Sequence, residues 1–95
     1  MNRIDRKLFE LGFIKKEENK HGVTYERIER KYNYVQEVDI IHKQSNKHLI
    51  FSYEKNLINK DGFNNVVGLT YKETKLFMKK YKQMKRKYKW GDYND

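Results

Sequence analysis

The chain has 95 residues, a formal net charge of +9 and no cysteine. This length predicts a single domain over residues 1–95, and the lack of cysteine excludes disulfides and thiolate metal sites. No apolar run reaches the roughly 18 residues that a membrane-spanning helix needs, and the first residues lack the apolar stretch of a signal peptide. We therefore expect an intracellular protein with no membrane partner.

The positive charge is concentrated near the end of the sequence. Residues 1–69 carry 13 basic and 10 acidic side chains, whereas residues 70–95 carry nine basic and three acidic ones. Eight tyrosines, five phenylalanines and one tryptophan supply a core, so the high charge does not indicate disorder. The asymmetry predicts nucleic acid or another polyanion as a partner.

Residues 2–11 are predicted to form a short first helix. Its apolar residues recur at the spacing of one helix face: Ile4, Leu8 and Leu11. Asn2 is a candidate N-cap. Gly12 followed by Phe13 has the pattern of a helix C-terminus, in which the apolar residue folds back on the last turn.

Four strand-like stretches follow and define a sheet region over residues 13–55. They comprise residues 13–18, 23–29, 34–43 and 48–55. In the second hairpin Glu29 is paired with Tyr34, and in the third Gln44 is paired with Lys47. These registers collect apolar residues on one face of an antiparallel sheet: Val23, Tyr25, Val38, Ile40, Leu49, Phe51 and Tyr53.

The opposite face of the predicted sheet is mostly polar and acidic, with an aliphatic patch. The patch consists of Ile28, Val35, Ile41 and Ile50. Exposed apolar clusters rimmed by charge often mark protein interfaces, so this patch is a candidate protein-binding or homodimer surface. Cover by the loop predicted over residues 56–69 is the alternative.

A basic last helix is predicted over residues 70–90. Thr70 and Glu73 have the spacing of a capping box. The apolar stripe of this helix is expected at Phe77, Tyr81, Met84 and Tyr88. With both helices packed on the apolar face of the sheet, the predicted fold is a two-layer α+β domain with the order α-β-β-β-β-α.

The side of this helix opposite its apolar stripe is uniformly cationic. Residues predicted to contact nucleic acid are Lys72, Lys75, Lys79, Lys82, Lys85, Arg86 and Lys89, and Lys80 and Lys87 are expected to widen the same surface. Regularly spaced cations suit a phosphate backbone. A solvated lysine-rich face and a membrane-surface helix are the alternatives. Trp90 and Tyr93 are expected either to cap the core or to stack on bases.

The sequence contains no motif for a nucleophile or a phosphate-binding loop. His42 is predicted at the rim of the core face and His48 on the outer face, and Glu37, Asp39 and Glu54 are expected on an open, solvated face. The segment NKDGFNN lacks the first and last ligands of a calcium loop. We therefore predict a non-enzymatic protein without cofactor, metal or small-molecule substrate; an enzyme that uses His42 is the alternative.

The order helix, sheet, helix with a basic last helix resembles a double-stranded RNA-binding domain. Gly68 matches that family's glycine-containing loop, and Lys72 and Lys75 match its lysine cluster at the start of the last helix, although the heaviest charge here lies at the other end of that helix. The sequence here predicts four strands, whereas that family has three. The resemblance implies contact with RNA.

Four segments also resemble small proteins of phages and mobile elements in low-GC Gram-positive bacteria. They are LFELGF (8–13), HGVTYER (21–27), IIHKQSNKH (40–48) and DGFNNVVGLTYKE (61–73). The resemblance implies an accessory role, for instance in replication or against host defence. The leading hypothesis is a protein that binds nucleic acid or a nucleoprotein complex through its last helix. An inhibitor of a CRISPR-type effector and a structural homodimer are the alternatives.

Overall fold

Two helices and one four-stranded sheet make up the part of the chain that the structure, a computed structural model, describes: residues 2–55 and 66–91. The elements are α1 (Arg3–Glu10), β1 (Ile14–Asn19), β2 (Gly22–Glu29), β3 (Tyr34–His42), β4 (His48–Lys55) and α2 (Tyr71–Lys87), with a 3-10 turn at Arg30–Tyr32. The strands pair in the order β1-β2-β3-β4, and every pair is antiparallel. The predicted α+β class and element order are confirmed.

Both ends of α1 follow the predicted caps. The Asn2 side chain accepts a hydrogen bond from the Asp5 backbone N–H at 2.8 Å. Gly12 adopts a left-handed φ of +95°, and the Phe13 N–H donates to the Leu8 carbonyl at 2.9 Å. This closure turns the buried Phe13 ring back under the helix, as expected for a left-handed glycine after the last turn.

The register of β2 and β3 is as predicted, with Glu29 opposite Tyr34 and Val23 opposite Ile40. The predicted register of β3 and β4 is wrong by one residue, because His42 pairs with His48. The hairpin loop has three residues instead of two: the Lys43 N–H donates to the Lys47 carbonyl at 2.9 Å. Its last residue, Asn46, is left-handed with a φ of 58°, as such loops require.

This shift exchanges the two faces of β4. Ile50 lies opposite Ile40, on the face that carries the core and is called the inner face below. Leu49, Phe51 and Tyr53, which were expected in the core, lie on the other face, the outer face. The predicted interface patch therefore loses Ile50.

The inner face is covered by both helices, as predicted. The Phe77 ring of α2 contacts Phe13 and Tyr25 edge-on, with ring centroids 5.0 and 5.5 Å apart. The buried core residues are Leu8, Phe13, Val23, Tyr25, Val38, Ile40, Leu76, Phe77, Met84 and Trp90. Among the described residues, neither helix is long and apolar enough to cross a membrane.

Candidate nucleic-acid interface

The N-terminus of α2 is fixed by the predicted capping box. Thr70 and Glu73 exchange hydrogen bonds of 2.9 and 3.1 Å, and Arg27 of β2 lies 2.7 Å from the Glu73 carboxylate. Burial works to raise the pKa of Glu73, but its bonds to Thr70 and Arg27 lower that pKa below its usual value. This carboxylate is the one acidic group between residues 71 and 87, and it faces inward, away from the predicted interface.

The lysines of α2 fall into an inward and an outward group. Lys80, expected in solvent, is instead buried: its Nζ lies 2.8 Å from Glu18 and 3.4 Å from Asp5. Lys87 also reaches Glu18, at 2.7 Å. The position of Lys80 lies within the buried arc of the helix, between Phe77 and Met84. Its charge is therefore neutralised inside the molecule and does not contribute to an outer surface.

The acidic partners of these lysines come from α1 and β1. Burial works to raise the pKa of Asp5, but hydrogen bonds from Tyr25 and Lys15 and the charge of Lys80 lower that pKa below its usual value. Burial and the bond to Asp5 together raise the pKa of the Tyr25 hydroxyl. These contacts join α2 to the first helix and to the sheet, which sets the side of α2 that faces outward.

The outward side of α2 carries five exposed cations, called the cationic ridge below: Lys72, Lys75, Lys79, Lys82 and Arg86. The ridge is about 21 Å long at 1.5 Å per residue. Among the residues that the structure describes, no carboxylate forms an ion pair with any of the five. The predicted cationic surface is thus present on one side of the helix, with ammonium and guanidinium groups that pair with no described carboxylate.

Two predicted members lie at the margin of the ridge. Lys85 is half-exposed and makes contacts of its own. Lys89 follows the end of the helix, which closes at residue 87 and not at 90. It adopts a left-handed φ of 53°, while the Trp90 N–H returns to the Lys85 carbonyl at 3.0 Å. Lys89 therefore lies in the turn after α2 and does not continue the helical face that carries the ridge.

A cleft lies beside the ridge, between the C-terminal part of α1 and the N-terminal part of α2. Its volume is about 600 Å³, and its lining residues are Lys7, Glu10, Leu11, Tyr71, Lys72, Lys75, Leu76 and Lys79. Tyr71 is 79% exposed, and the Lys75 Nζ lies 5.3 Å from the centroid of its ring. Neither Tyr71 nor Lys7 belongs to the predicted interface. The position of Tyr71 outside the apolar stripe of α2 is the signal that could have identified it.

Trp90 caps the core and is not available for stacking on bases. Its ring is buried and lies parallel to His42, with centroids 5.0 Å apart, and its Nε1–H donates to the Lys20 carbonyl at 2.7 Å. His42 lies at the inner-face rim as predicted. His48, expected on the outer face, packs beside it, 5.1 Å between centroids. Tyr93 lies outside the described residues.

The environment of His48 disfavours its charged form. Burial, the neighbouring His42 and the charge of Lys85 lower the pKa of His48 below its usual value. Its Nδ1 shares a hydrogen bond with the Tyr81 hydroxyl. The two histidines thus form an aromatic cluster with Trp90 at one end of the core.

The outer face of the sheet carries an apolar patch beside a pair of carboxylates. Ile28 is 56% and Phe51 44% exposed, Ile41 is half-exposed and Val35 is buried. The Tyr53 hydroxyl, which has one proton to donate, lies within hydrogen-bonding distance of both Glu37 and Asp39 and is 2.8 Å from the Asp39 carboxylate. Glu54, expected with them, lies opposite Gln36 on the inner side.

The titration of Asp39 is perturbed by its surroundings. Burial and the neighbouring Glu37 raise the pKa of Asp39 to about 6. In the described part of the chain, no group of three or more His, Cys, Asp or Glu side chains is arranged to hold a metal ion. Residues 56–65 of the predicted 56–69 loop, which include the segment considered for calcium, lie outside the described residues.

Comparison with models of known protein families finds no family that matches this chain. Searches among curated proteins and among solved structures find no significant match either.

Proposed function

We propose that this protein binds nucleic acid, free or within a nucleoprotein complex, through the cationic ridge and without catalysing a reaction. One contrast carries the proposal. The buried Lys80 and the exposed Lys87 of α2 pair with Asp5 and Glu18, whereas the five ridge cations have no carboxylate partner among the described residues. A helix that needed its lysines only for solubility would be expected to intersperse glutamates for i,i+4 pairing.

The chemistry of the ridge favours a phosphate backbone. Its residues follow one another at three- and four-residue intervals, so that neighbouring charges are about one helical turn, or 5 Å, apart along the axis. Lysine contacts to phosphates supply affinity with little sequence selectivity. Each neutralised phosphate contributes about −0.9 to the slope of log K against log salt for a duplex, so five contacts give a slope near −4.5.

A charge-matched pair of variants tests this function. The ridge variant replaces Lys75, Lys79, Lys82 and Arg86 with glutamine. The control variant makes the same change in net charge at four exposed positions outside α2: Lys16, Lys20, Arg30 and Lys43. Fluorescence anisotropy with labelled RNA and DNA, single-stranded and duplex, is measured between about 50 and about 200 mM salt.

The ridge variant is expected to lose nearly all binding and most of the salt slope, while the control variant keeps both in large part. Tight binding by the ridge variant, or equal losses in the two variants, would overturn the proposal. Duplex RNA belongs among the probes because of the resemblance to double-stranded RNA-binding domains.

The resemblance to phage and mobile-element proteins supports a biological setting for nucleic-acid binding by this protein. We propose an accessory role in the cytoplasm of a low-GC Gram-positive host, in replication or against a host defence. A basic inhibitor of a CRISPR-type effector would compete for guide RNA or for an acidic groove. Recovery of a tagged protein from host cells, with and without nuclease, separates a nucleic-acid partner from a protein partner.

A second candidate is a protein interface on the outer face, favoured by the exposure of Ile28 and Phe51 beside the carboxylates of Glu37 and Asp39. The partner would be another protein or a second copy of this chain. Ile28→Lys is then expected to abolish a nuclease-resistant complex, or a dimer in sedimentation, without unfolding the protein. A complex that survives this substitution would exclude the patch.

A further inference from the structure

We propose that the cleft between α1 and α2 receives one unpaired base of a single-stranded nucleic acid, with the Tyr71 ring as the stacking surface. This proposal rests on the proposed function of the ridge and adds a substrate class to it. A ridge alone would bind any phosphate backbone, whereas a base-stacking cleft selects strands whose bases are free.

Tyr71 has the properties of a stacking surface. The residue is 79% exposed, so it contributes little to the core. It is the first residue of α2 and lies within the Thr70–Glu73 capping box, and Arg27 contacts the Glu73 carboxylate of that box at 2.7 Å. The backbone that carries the ring is therefore fixed, and a base can stack on it without a large ordering cost.

The remaining lining of the cleft suits a base with a phosphate on either side. Leu11 and Leu76 supply apolar surface, while the lysines at positions 7, 72, 75 and 79 supply positive charge against one carboxylate, Glu10. The volume of about 600 Å³ falls in the range typical of small-molecule sites. A flat base with polar edges matches such a mixed lining.

The ridge and the stacking ring are adjacent. Lys75 belongs to the ridge, and its Nζ lies 5.3 Å from the Tyr71 centroid. A strand whose phosphates follow the ridge would therefore bring the attached base to the ring. In a duplex the bases are paired and stacked on one another, so they cannot enter the cleft without the cost of unstacking.

The test compares strands with and without bases. The probes are labelled RNA and DNA strands of about 16 nucleotides, their duplexes, and an abasic strand that keeps the phosphates. The variants are Tyr71→Ala and Tyr71→Phe, with Phe9→Ala as a control because Phe9 is a second exposed ring, 54% exposed on α1. Urea unfolding confirms that each variant is folded.

Tyr71→Ala is expected to weaken binding of the RNA or the DNA single strand by about 5- to 150-fold, the range for loss of one stacked base. Tyr71→Phe and Phe9→Ala should bind like the wild type. Binding of the duplex and of the abasic strand should not change with Tyr71→Ala.

Other outcomes separate the two proposals. If Tyr71→Ala binds single strands normally while the ridge variant does not, the stacking site is wrong and the ridge function stands. If Tyr71→Ala weakens all probes equally, the ring only positions Lys75, and the stacking site is again wrong. If the ridge variant binds every probe normally, the proposed function itself fails.

Discussion

Replacing Glu18 with glutamine tests how α2 is held against the sheet. The Glu18 side chain is 9% exposed and lies 2.8 Å from the Nζ of Lys80, which is 1% exposed. Removing one member of a buried ion pair costs about 3–5 kcal/mol. We expect a smaller loss, about 2 kcal/mol, because Asp5 remains 3.4 Å from the same Nζ and the exposed Lys87 adds little.

The same carboxylate makes the free energy of unfolding depend on pH. Burial alone would raise the pKa of Glu18, but hydrogen bonds from Lys80, Lys87 and Tyr88 hold it well below its usual 4.5. Because the folded-state pKa is lowered, the stabilisation is complete above the unfolded-state pKa and is lost as the pH falls below it. The wild type loses up to about 1.4 kcal/mol per pH unit there. The Glu18→Gln variant has no carboxylate to protonate at this position. Its free energy of unfolding and that of the wild type therefore converge at acidic pH.

Urea unfolding followed by tryptophan fluorescence measures both effects, since the one tryptophan, Trp90, is 6% exposed in the folded protein. Glu17→Gln is the matched control, because Glu17 is the exposed neighbour on the same strand, and its change should stay within about 0.5 kcal/mol. A Glu18→Gln variant that loses less than about 1 kcal/mol at pH 7, or that keeps the wild-type dependence between pH 5 and pH 3, would refute the reasoning.

Two further substitutions have expected effects of opposite sign. Asp39→Asn should raise the free energy of unfolding at pH 7 by about 1 kcal/mol, a value discounted for partial exposure to solvent. The pKa of Asp39 is raised to about 6, so its ionisation destabilises the fold as the pH rises through that value. Below pH 4, urea titrations should therefore give the variant and the wild type the same free energy of unfolding. Gly12→Ala should cost about 1–2 kcal/mol in the same assay, because φ is +95°; an unchanged midpoint would contradict this.

The sequence carries enough local information for the helix ends and for the hairpin of β2 and β3. The helix ends are predictable because a capping residue contacts backbone groups only a few positions away. The β2–β3 hairpin is predictable because Val23 and Tyr25 alternate with polar residues, so that only one register buries them. The β4 segment HLIFSYEK differs, because apolar residues occupy both of its faces. Either register then buries apolar surface, and the left-handed Asn46 in the loop decides between them.

The candidate site was predictable in part for a related reason. The outward cations follow from the 3.6-residue period of α2 alone. The burial of Lys80 depends on Asp5 and Glu18, which are more than 60 positions away in the sequence. The cleft depends on how α1 packs beside α2. The residue pattern of α2 alone therefore predicts neither the burial of Lys80 nor the cleft.

The sequence separation between Glu18 and its partners has a consequence for the folding kinetics. Hydrogen bonds join it to Lys80 and Lys87 across 62 and 69 positions, whereas the hairpins close within a few residues. Contacts between residues far apart in the sequence form late in folding, because the chain loses the entropy of closing a long loop before the contacts stabilise it. Loss of the Lys80 contacts is thus expected to accelerate unfolding and to leave the folding rate nearly unchanged. The lifetime of the docked α2, and with it the time for which the cationic ridge stays in place, is then set by the unfolding rate.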